Sequence, residues 1–135
     1  MLEALQEVLD TKTAPIVQGM GLRADSATAS EVTVSMPVSP HVVHGGGVLC
    51  GQAIMAAMDT VMVLAIVAHA GGKFRPMTTV QLQTTFMRGV PANAGEVTLV
   101  GRILRAGRSL VFGEIQLKLA DGTLAAHATT TYALI

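Results

Sequence analysis

Residues 48–70 have the sequence VLCGQAIMAAMDTVMVLAIVAHA, and this stretch decides the fold. Asp59 is its one acidic or basic residue other than His69, its remaining residues are almost all apolar on every side of a helix, and Gly71 and Gly72 follow it as a stop signal. It is long enough to span a bilayer, but a carboxylate at its centre would cost about 2.5–3.5 kcal/mol there, and no Lys or Arg flanks its N-terminal end. A helix that is apolar all round and lies outside a membrane is buried on all sides. The sequence therefore predicts a central helix over residues 48–70 with protein packed around it.

The segments on either side of this helix predict the layer that covers it. Apolar side chains at helical spacing over residues 2–10 predict a short N-terminal helix within residues 1–10. Strands are predicted over residues 15–24, 31–38, 77–88, 96–105, 109–119 and 123–134, and Asp121-Gly122 is a strong hairpin signal. Consecutive hairpins favour an antiparallel sheet. We therefore expect one α+β domain over residues 1–135, with an antiparallel sheet wrapped around the central helix.

Composition limits the kinds of partner. The chain has 135 residues, of which 13% are charged and 3% aromatic, and its formal net charge is zero. Nucleic-acid binding needs a basic surface and stacking rings, so it is not expected. So few charges on a small chain suggest that another copy covers part of the surface, as in a homo-oligomer.

The compartment is predicted from the cysteine content and the N-terminus. Cys50 is the one cysteine, which excludes an internal disulfide and any metal site built from several cysteines. The N-terminal residues are acidic and lack the basic and apolar regions of a signal peptide. We expect a cytoplasmic protein that is not inserted in a membrane.

Four stretches carry a family resemblance: GGGVLCGQAIMAAMDT (residues 45–60), TTVQLQTTFMRGVPANAGEV (78–97), RILRAGRSLVFGEIQL (102–117) and LAAHATTTY (124–132). Together they resemble hot-dog-fold thioesterases of the 4-hydroxybenzoyl-CoA thioesterase superfamily, within it the phenylacetate-degradation (PaaI-like) branch. The resemblance covers Thr33 to the C-terminus. It implies a hot-dog fold, an acyl-CoA substrate, no metal or redox cofactor, and a dimer of dimers.

The resemblance also indicates the catalytic acid. Members of that family have a His-Gly-Gly at the start of the central helix and a catalytic Asp nine residues after the His. In this chain Cys50-Gly51-Gln52 occupies the place of the triplet, and Asp59 stands at the place of the acid. Only the glycine of the triplet matches. By their place in the triplet, Cys50 and Gln52 are implied as neighbours of the substrate.

Two further residues are implied in the same way. An Asn or Gln six residues before the family's His serves the site in many members, and here that position is His44. The family often has a Ser or Thr in the strand after the helix, and Thr79 matches it. Thr78 would take this position instead if the match between the strand and the family pattern shifted by one residue.

The spacing of Gly51 and Asp59 points to a site shared by two subunits. Eight residues along one helix correspond to a rise of about 12 Å, too far for both to touch one carbonyl group. Two antiparallel helices across a dimer axis would bring Gly51 of one subunit to Asp59 of the other. The helix N-terminus would stabilise an oxyanion, and Asp59 would act as general base or as nucleophile, two roles that the sequence leaves open. Cys50 could also act as a nucleophile, but the favoured interpretation is that it is a small side chain that packs at the start of the helix.

Arginines supply candidate contacts to the phosphates of CoA. Arg105 and Arg108 flank the Ala106-Gly107 turn, and Arg88 lies on another turn. Strict alternation along a strand would place Arg102 and Arg105 on opposite faces.

Two other functions remain open from the sequence. A hot-dog hydratase or dehydratase would use a His and an acid, for which His44 and Asp59 are available. A non-catalytic acyl-CoA-binding protein is consistent with the altered triplet. The acyl group itself is not specified beyond an aryl or a short-to-medium chain that suits an Ala- and Met-rich pocket.

Overall fold

A computed structural model describes residues 1–135, with one six-stranded sheet packed on one long helix. The helices are α1 (Leu2–Thr11), α2 (Pro15–Gln18) and α3 (Gly51–His69), with a short 3-10 helix at Pro40–Val42. The strands are β1 (Arg23–Ala27), β2 (Glu31–Pro37), β3 (Met77–Phe86), β4 (Glu96–Ala106), β5 (Leu110–Lys118) and β6 (Leu124–Leu134). They lie in the order β1-β2-β4-β5-β6-β3, and every neighbouring pair is antiparallel. The predicted hot-dog architecture is confirmed.

Helix α3 forms the centre of the core. Twelve of its 19 residues are buried, which is the reason that so apolar a helix needs no membrane. By length and a mean hydropathy of 1.8 it would also qualify as a membrane span, but 67% of that segment is buried inside the protein. Glycines in the sheet let α3 pack closely against it. A Cβ added at Gly101 would lie only 2.6 Å from Val61 Cγ1.

Two predicted boundaries are wrong. Residues 15–24 do not form a strand: Pro15 fixes the first position of the short helix α2, and β1 begins only at Arg23. The central helix begins at Gly51 and not at residue 48. Val48 and Leu49 form isolated bridges with Pro91 and Val43, and Cys50 caps the helix.

A β-bulge in β3 changes which side chains face α3. Thr79 pairs with Tyr132 and Gln81 pairs with Thr131, so Val80 has no partner of its own and is 60% exposed. The extra residue puts Thr79 on the same face as Leu82, although strict alternation would separate them.

A second bulge lies in β4 between Ile103 and Arg105. Because Arg102 pairs with Glu114 and Arg105 pairs with Phe112, both arginines lie on the outer face of the sheet. The expectation that they point to opposite faces is therefore wrong, and Leu104 is the extra residue that accounts for the difference.

Strand β3 is an edge of the sheet. It pairs with β6 on one side and has no partner within the chain on the other. Its ten residues include no proline and no charged side chain. Proline and charged side chains commonly protect a free edge from pairing with another chain, so β3 lacks this protection.

Candidate active site

The carboxylate of Asp59 is held by two hydroxyl groups. Thr79 Oγ1 donates to Asp59 Oδ1 over 2.8 Å, and the Tyr132 hydroxyl donates to the same oxygen over 2.5 Å. The Tyr132 hydroxyl also lies 2.9 Å from the main-chain oxygen of Asp59. Burial, followed by the hydrogen bond to Asp59, raises the pKa of Tyr132 well above its ordinary value of 10.0, so the phenol stays neutral and acts as a donor. We call Asp59, Thr79 and Tyr132 the carboxylate half-site.

A cavity of about 200 Å³ opens beside this half-site. Asp59 and Tyr132 line it together with apolar side chains that include Val17, Val63 and Met77. For scale, an apolar cavity of about 150 Å³ holds a benzene molecule. The cavity thus offers an apolar space of acyl-group size in contact with a carboxylate.

The N-terminus of α3 forms a second cavity of about 320 Å³, lined by Gly51, Phe86 and Arg88 among others. The first four amides of a helix have no partner within it. Here the amide of Cys50 donates to Val42 O over 2.8 Å, and that of Ala53 donates to Cys50 Sγ over 3.4 Å. The amides of Gly51 and Gln52 are the two that remain for a ligand. We call Gly51, Gln52 and Arg88 the amide half-site.

The two half-sites lie apart within one protomer. Gly51 and Asp59 are separated by about 12 Å of helical rise. Strand β3 runs from one to the other, since Thr79 bonds Asp59 near its start and the Phe86 ring lies against Gly51 at its end. One thioester group cannot reach both half-sites of the same chain.

The remaining residues predicted near the triplet have local roles in the protomer. Cys50 is half-buried and caps α3 through its sulfur. The side chain of Gln52 is exposed and lines a third cavity with Cys50 and His41. The exposed His44 accepts a hydrogen bond at Nδ1 from the Gly46 amide over 2.8 Å, and it lines neither the Asp59 cavity nor the Gly51 cavity. The structure does not bring His44 and Asp59 together within one chain.

The predicted arginines divide between the two ends of α3. Arg88 lies beside Gly51 at the N-terminal end. The turn between Arg105 and Arg108 lies at the other end, where Ala106 and Gly107 line a cavity with His69. Those ends are about 27 Å apart along the helix, so the three arginines do not form a single phosphate site in one protomer.

Metal ligands are not clustered: three or more His, Cys, Asp or Glu side chains come together nowhere in the structure.

Tyr132 is the member of the carboxylate half-site that the sequence analysis missed. It lies 73 residues after Asp59, and hydrogen-bond partners at that distance are invisible without the register of the sheet. One signal was present, because a tyrosine in a strand of alternating pattern is a buried ring whose hydroxyl needs a polar partner.

Similarity to known proteins covers nearly the whole chain. The family model described as the thioesterase superfamily matches residues 42–126, a range that includes Gly51, Asp59 and Thr79 but not Tyr132. A candidate esterase of Saccharolobus solfataricus is 28% identical over 134 residues, which cover 99% of this chain and 92% of that relative.

Solved structures agree with the fold. A conserved protein of Pseudomonas aeruginosa is 30% identical with a TM-score of 0.82, covering 91% of this chain and 95% of that one. Thioesterase superfamily member 2 of zebrafish is 22% identical with a TM-score of 0.86, covering 100% of this chain and 99% of that one.

Proposed function

The chain belongs to the thioesterase superfamily and is a thioester hydrolase, and from that premise we propose that it hydrolyses an acyl-CoA to the free acid and CoA. The observation that carries the proposal is the pair of half-sites at opposite ends of an unpaired edge strand. One half-site supplies a carboxylate, and the other supplies free helix amides beside an arginine. These are the two components that acyl transfer to water requires.

The edge strand provides a way to join the half-sites. When β3 pairs antiparallel with β3 of a second copy, its Thr79 end lies near the Phe86 end of the partner strand. The carboxylate half-site of one protomer then adjoins the amide half-site of the other. A homodimer built in this way contains two complete sites, and we propose that two such dimers associate into a tetramer.

The substrate divides between the two cavities. The thioester oxygen lies at the amides of Gly51 and Gln52, where the N-terminal partial charge of α3 stabilises the negative charge that develops during attack. The acyl group occupies the cavity beside Asp59, whose size and apolar walls suit an aryl or a short-to-medium acyl group. The CoA portion extends along the other cavity, where Arg88 is placed for its phosphates.

Asp59 supplies or activates the attacking oxygen. As a general base it takes a proton from water, and the resulting hydroxide adds to the thioester carbon before the thiolate of CoA leaves. As a nucleophile it attacks the thioester carbon and expels the thiolate of CoA, and water then cleaves the resulting anhydride to the acid and the original Asp59 carboxylate. Both routes give the acid and free CoA, and both use the same carboxylate. The mechanism needs no metal or redox cofactor.

Two finer assignments rest on the sequence alone. The motifs favour the phenylacetate-degradation branch of the superfamily, which agrees with an aryl acyl group. The single cysteine favours a cytoplasmic location. Both are parts of the proposal.

The test is CoA release from a panel of acyl-CoAs by wild-type protein and by the Asp59→Asn variant. Asparagine keeps the shape and can still accept from Thr79 and Tyr132, but it is neither a base nor a nucleophile. The expected kcat is lower by about a hundredfold or more, the scale of a lost general base. Binding of a non-hydrolysable acyl-CoA is retained. Asp10→Asn, on the exposed face of α1, is the matched control and should leave kcat unchanged.

Two results would contradict the proposal. If Asp59→Asn folds, binds the analogue and keeps the wild-type kcat, Asp59 is not the reacting group. If wild-type protein binds acyl-CoAs and releases no CoA from any of them, hydrolysis is not its function. A hydratase would change the acyl group without releasing CoA, so the same panel separates the two activities.

A further inference from the structure

We propose that Tyr132 is a positioning residue for Asp59: it engages carboxylate oxygen Oδ1 and leaves Oδ2 as the oxygen that reacts. This inference rests on the proposed thioesterase activity and extends it to a residue outside the region that matches the family model.

The two oxygens of the Asp59 carboxylate have different surroundings. Oδ1 accepts from both Thr79 and Tyr132, whereas no group of this chain donates to Oδ2. Hydrogen bonds occupy lone pairs and draw charge toward the donors. Oδ1, which accepts two hydrogen bonds, is therefore the weaker base and the weaker nucleophile of the two oxygens. The free lone pairs of the carboxylate are therefore those of Oδ2, and Asp59 lines the cavity proposed for the acyl group.

The position of the phenol also fixes the conformation of Asp59. The Tyr132 hydroxyl contacts the carboxylate over 2.5 Å and the main-chain oxygen of the same residue over 2.9 Å. A group that contacts both the carboxylate and the main chain of one residue restricts the torsions of the short side chain between them. This is how supporting residues keep a reacting atom within the narrow range of productive geometry.

Tyr132 is itself held rigidly. It is 3% exposed, and it pairs with Thr79 of β3 on one side and with Val111 of β5 on the other. The two donors to Oδ1 are thus direct neighbours across a β-ladder, and the Val80 bulge sets their register. The sheet places both hydroxyl groups before any substrate binds.

Few other ionisable groups influence this carboxylate. The cavity beside Asp59 contains Tyr132 from β6 and Lys12, which follows α1, whereas α2 and β3 contribute no titratable side chain. A neutral phenol that donates to the ionised carboxyl group stabilises its charged form.

The first test uses Tyr132 as its own reporter, because it is the one tyrosine of a chain without tryptophan. The near-ultraviolet absorbance of the phenolate is followed as the pH is raised, in wild-type protein and in Asp59→Asn. We expect the phenolate to form at lower pH in Asp59→Asn, because the anion beside the phenol has been removed. Thr130→Val is the control: this buried hydroxyl lies on the same face of β6 but donates to Gln81 O, so its removal should leave the titration unchanged.

The second test is kinetic. Tyr132→Phe removes the hydroxyl group and keeps the ring. We expect kcat to fall about tenfold to a hundredfold with little change in KM, because the phenol acts on the reacting group and not on substrate binding. Thr130→Val also removes a buried hydroxyl group of β6, but that group donates to Gln81 O, so the variant should keep the wild-type kcat.

The outcomes separate this inference from the function on which it rests. A Tyr132→Phe variant with lower stability but wild-type kcat would show that the phenol is structural, and so would a tyrosine titration that Asp59→Asn does not move. Absence of CoA release by the wild-type protein would instead overturn the proposed function, while the absorbance titration would still decide whether the phenol and the carboxylate are paired.

Discussion

Thr79 shows how a single hydroxyl group on an exposed strand can belong to the carboxylate half-site. Its backbone lies on the free edge of the sheet, yet its side chain donates to Asp59 Oδ1 over 2.8 Å. A hydrogen bond to a charged group contributes about 1.5–3 kcal/mol, which corresponds to roughly a tenfold to hundredfold change in rate when the bond acts in the transition state.

The Thr79→Val variant should therefore lower kcat by about tenfold, measured as CoA release at saturating substrate. Valine keeps the shape and the strand preference of threonine. Thr78→Val is the matched control, because Thr78 pairs with Ala133 and makes no contact with Asp59 in the hydrogen-bond network. Equal losses of kcat in the two variants would contradict the register that pairs Thr79 with Tyr132.

At the scale of residues, the sequence was sufficient to predict part of the carboxylate half-site. A carboxylate in the middle of an apolar helix is costly to bury, so Asp59 could be selected from its surroundings and from the motif. The choice between Thr78 and Thr79 required the bulge, and Tyr132 required the pairing of β3 with β6. The roles of these residues in catalysis stay predictions until the variants are measured.

At the scale of elements, long periodic segments were predictable and their irregularities were not. The apolar run of α3 and the alternating strands are strong signals, because burial fixes their periodicity. Residues 15–24 misled because Met20 and Leu22 have the two-residue spacing of a strand, whereas Pro15 starts a helical turn there. Bulges depend on pairing with a neighbouring strand, so the bulge that turns Arg105 to the same face as Arg102 has no local signature.

The separation of the arginines by α3 leads to a prediction about CoA binding. Arg88→Ala should raise KM for acyl-CoA about tenfold with little change in kcat, because lost uniform binding affects KM. Short thioesters that lack the nucleotide should be unaffected. In the Arg105→Ala/Arg108→Ala double variant we expect a smaller increase, since that turn lies at the far end of the helix.

Measurements of KM with both substrate types check this prediction. A larger increase in the double variant than in Arg88→Ala would show that the nucleotide extends to the β4–β5 turn. An equal loss of activity toward short thioesters would show that the arginines affect folding and not recognition of CoA.

At the scale of the whole molecule, the free edge of β3 is the surface through which we propose that two copies pair. Strand β3 exposes hydrophobic side chains, among them Val80 and Phe86, and has unpaired main-chain groups along one side. Lysine at an edge discourages strand pairing. Gln83 lies near the middle of the strand, so a twofold axis between two copies of β3 would bring both Gln83 side chains close together.

The Gln83→Lys variant should dissociate the dimer and lose thioesterase activity, because two like charges would meet at the axis. Light scattering should give a mass near the 14.0 kDa of one chain, against a multiple of it for the wild type. Gln116→Lys, on the interior strand β5, introduces the same charge away from the edge and should retain at least the dimer and its activity. A fully active monomer would exclude a shared site.

The extra residue in β3 also affects how the gene can tolerate changes in length. Thr78 and Thr79 are identical neighbours placed just before the residue that stands outside the ladder. If any one of residues 78–80 were deleted, the strand could close up and still place a threonine opposite Tyr132: removal of Val80 gives a regular ladder, and removal of either threonine leaves the other in its place. Loss of Val80 would reduce the local twist of the edge strand, whereas loss of a threonine would keep the bulge, and in each case a hydroxyl group stays beside Asp59. The segment is thus a place where one codon can be lost during evolution without removing a donor from the site.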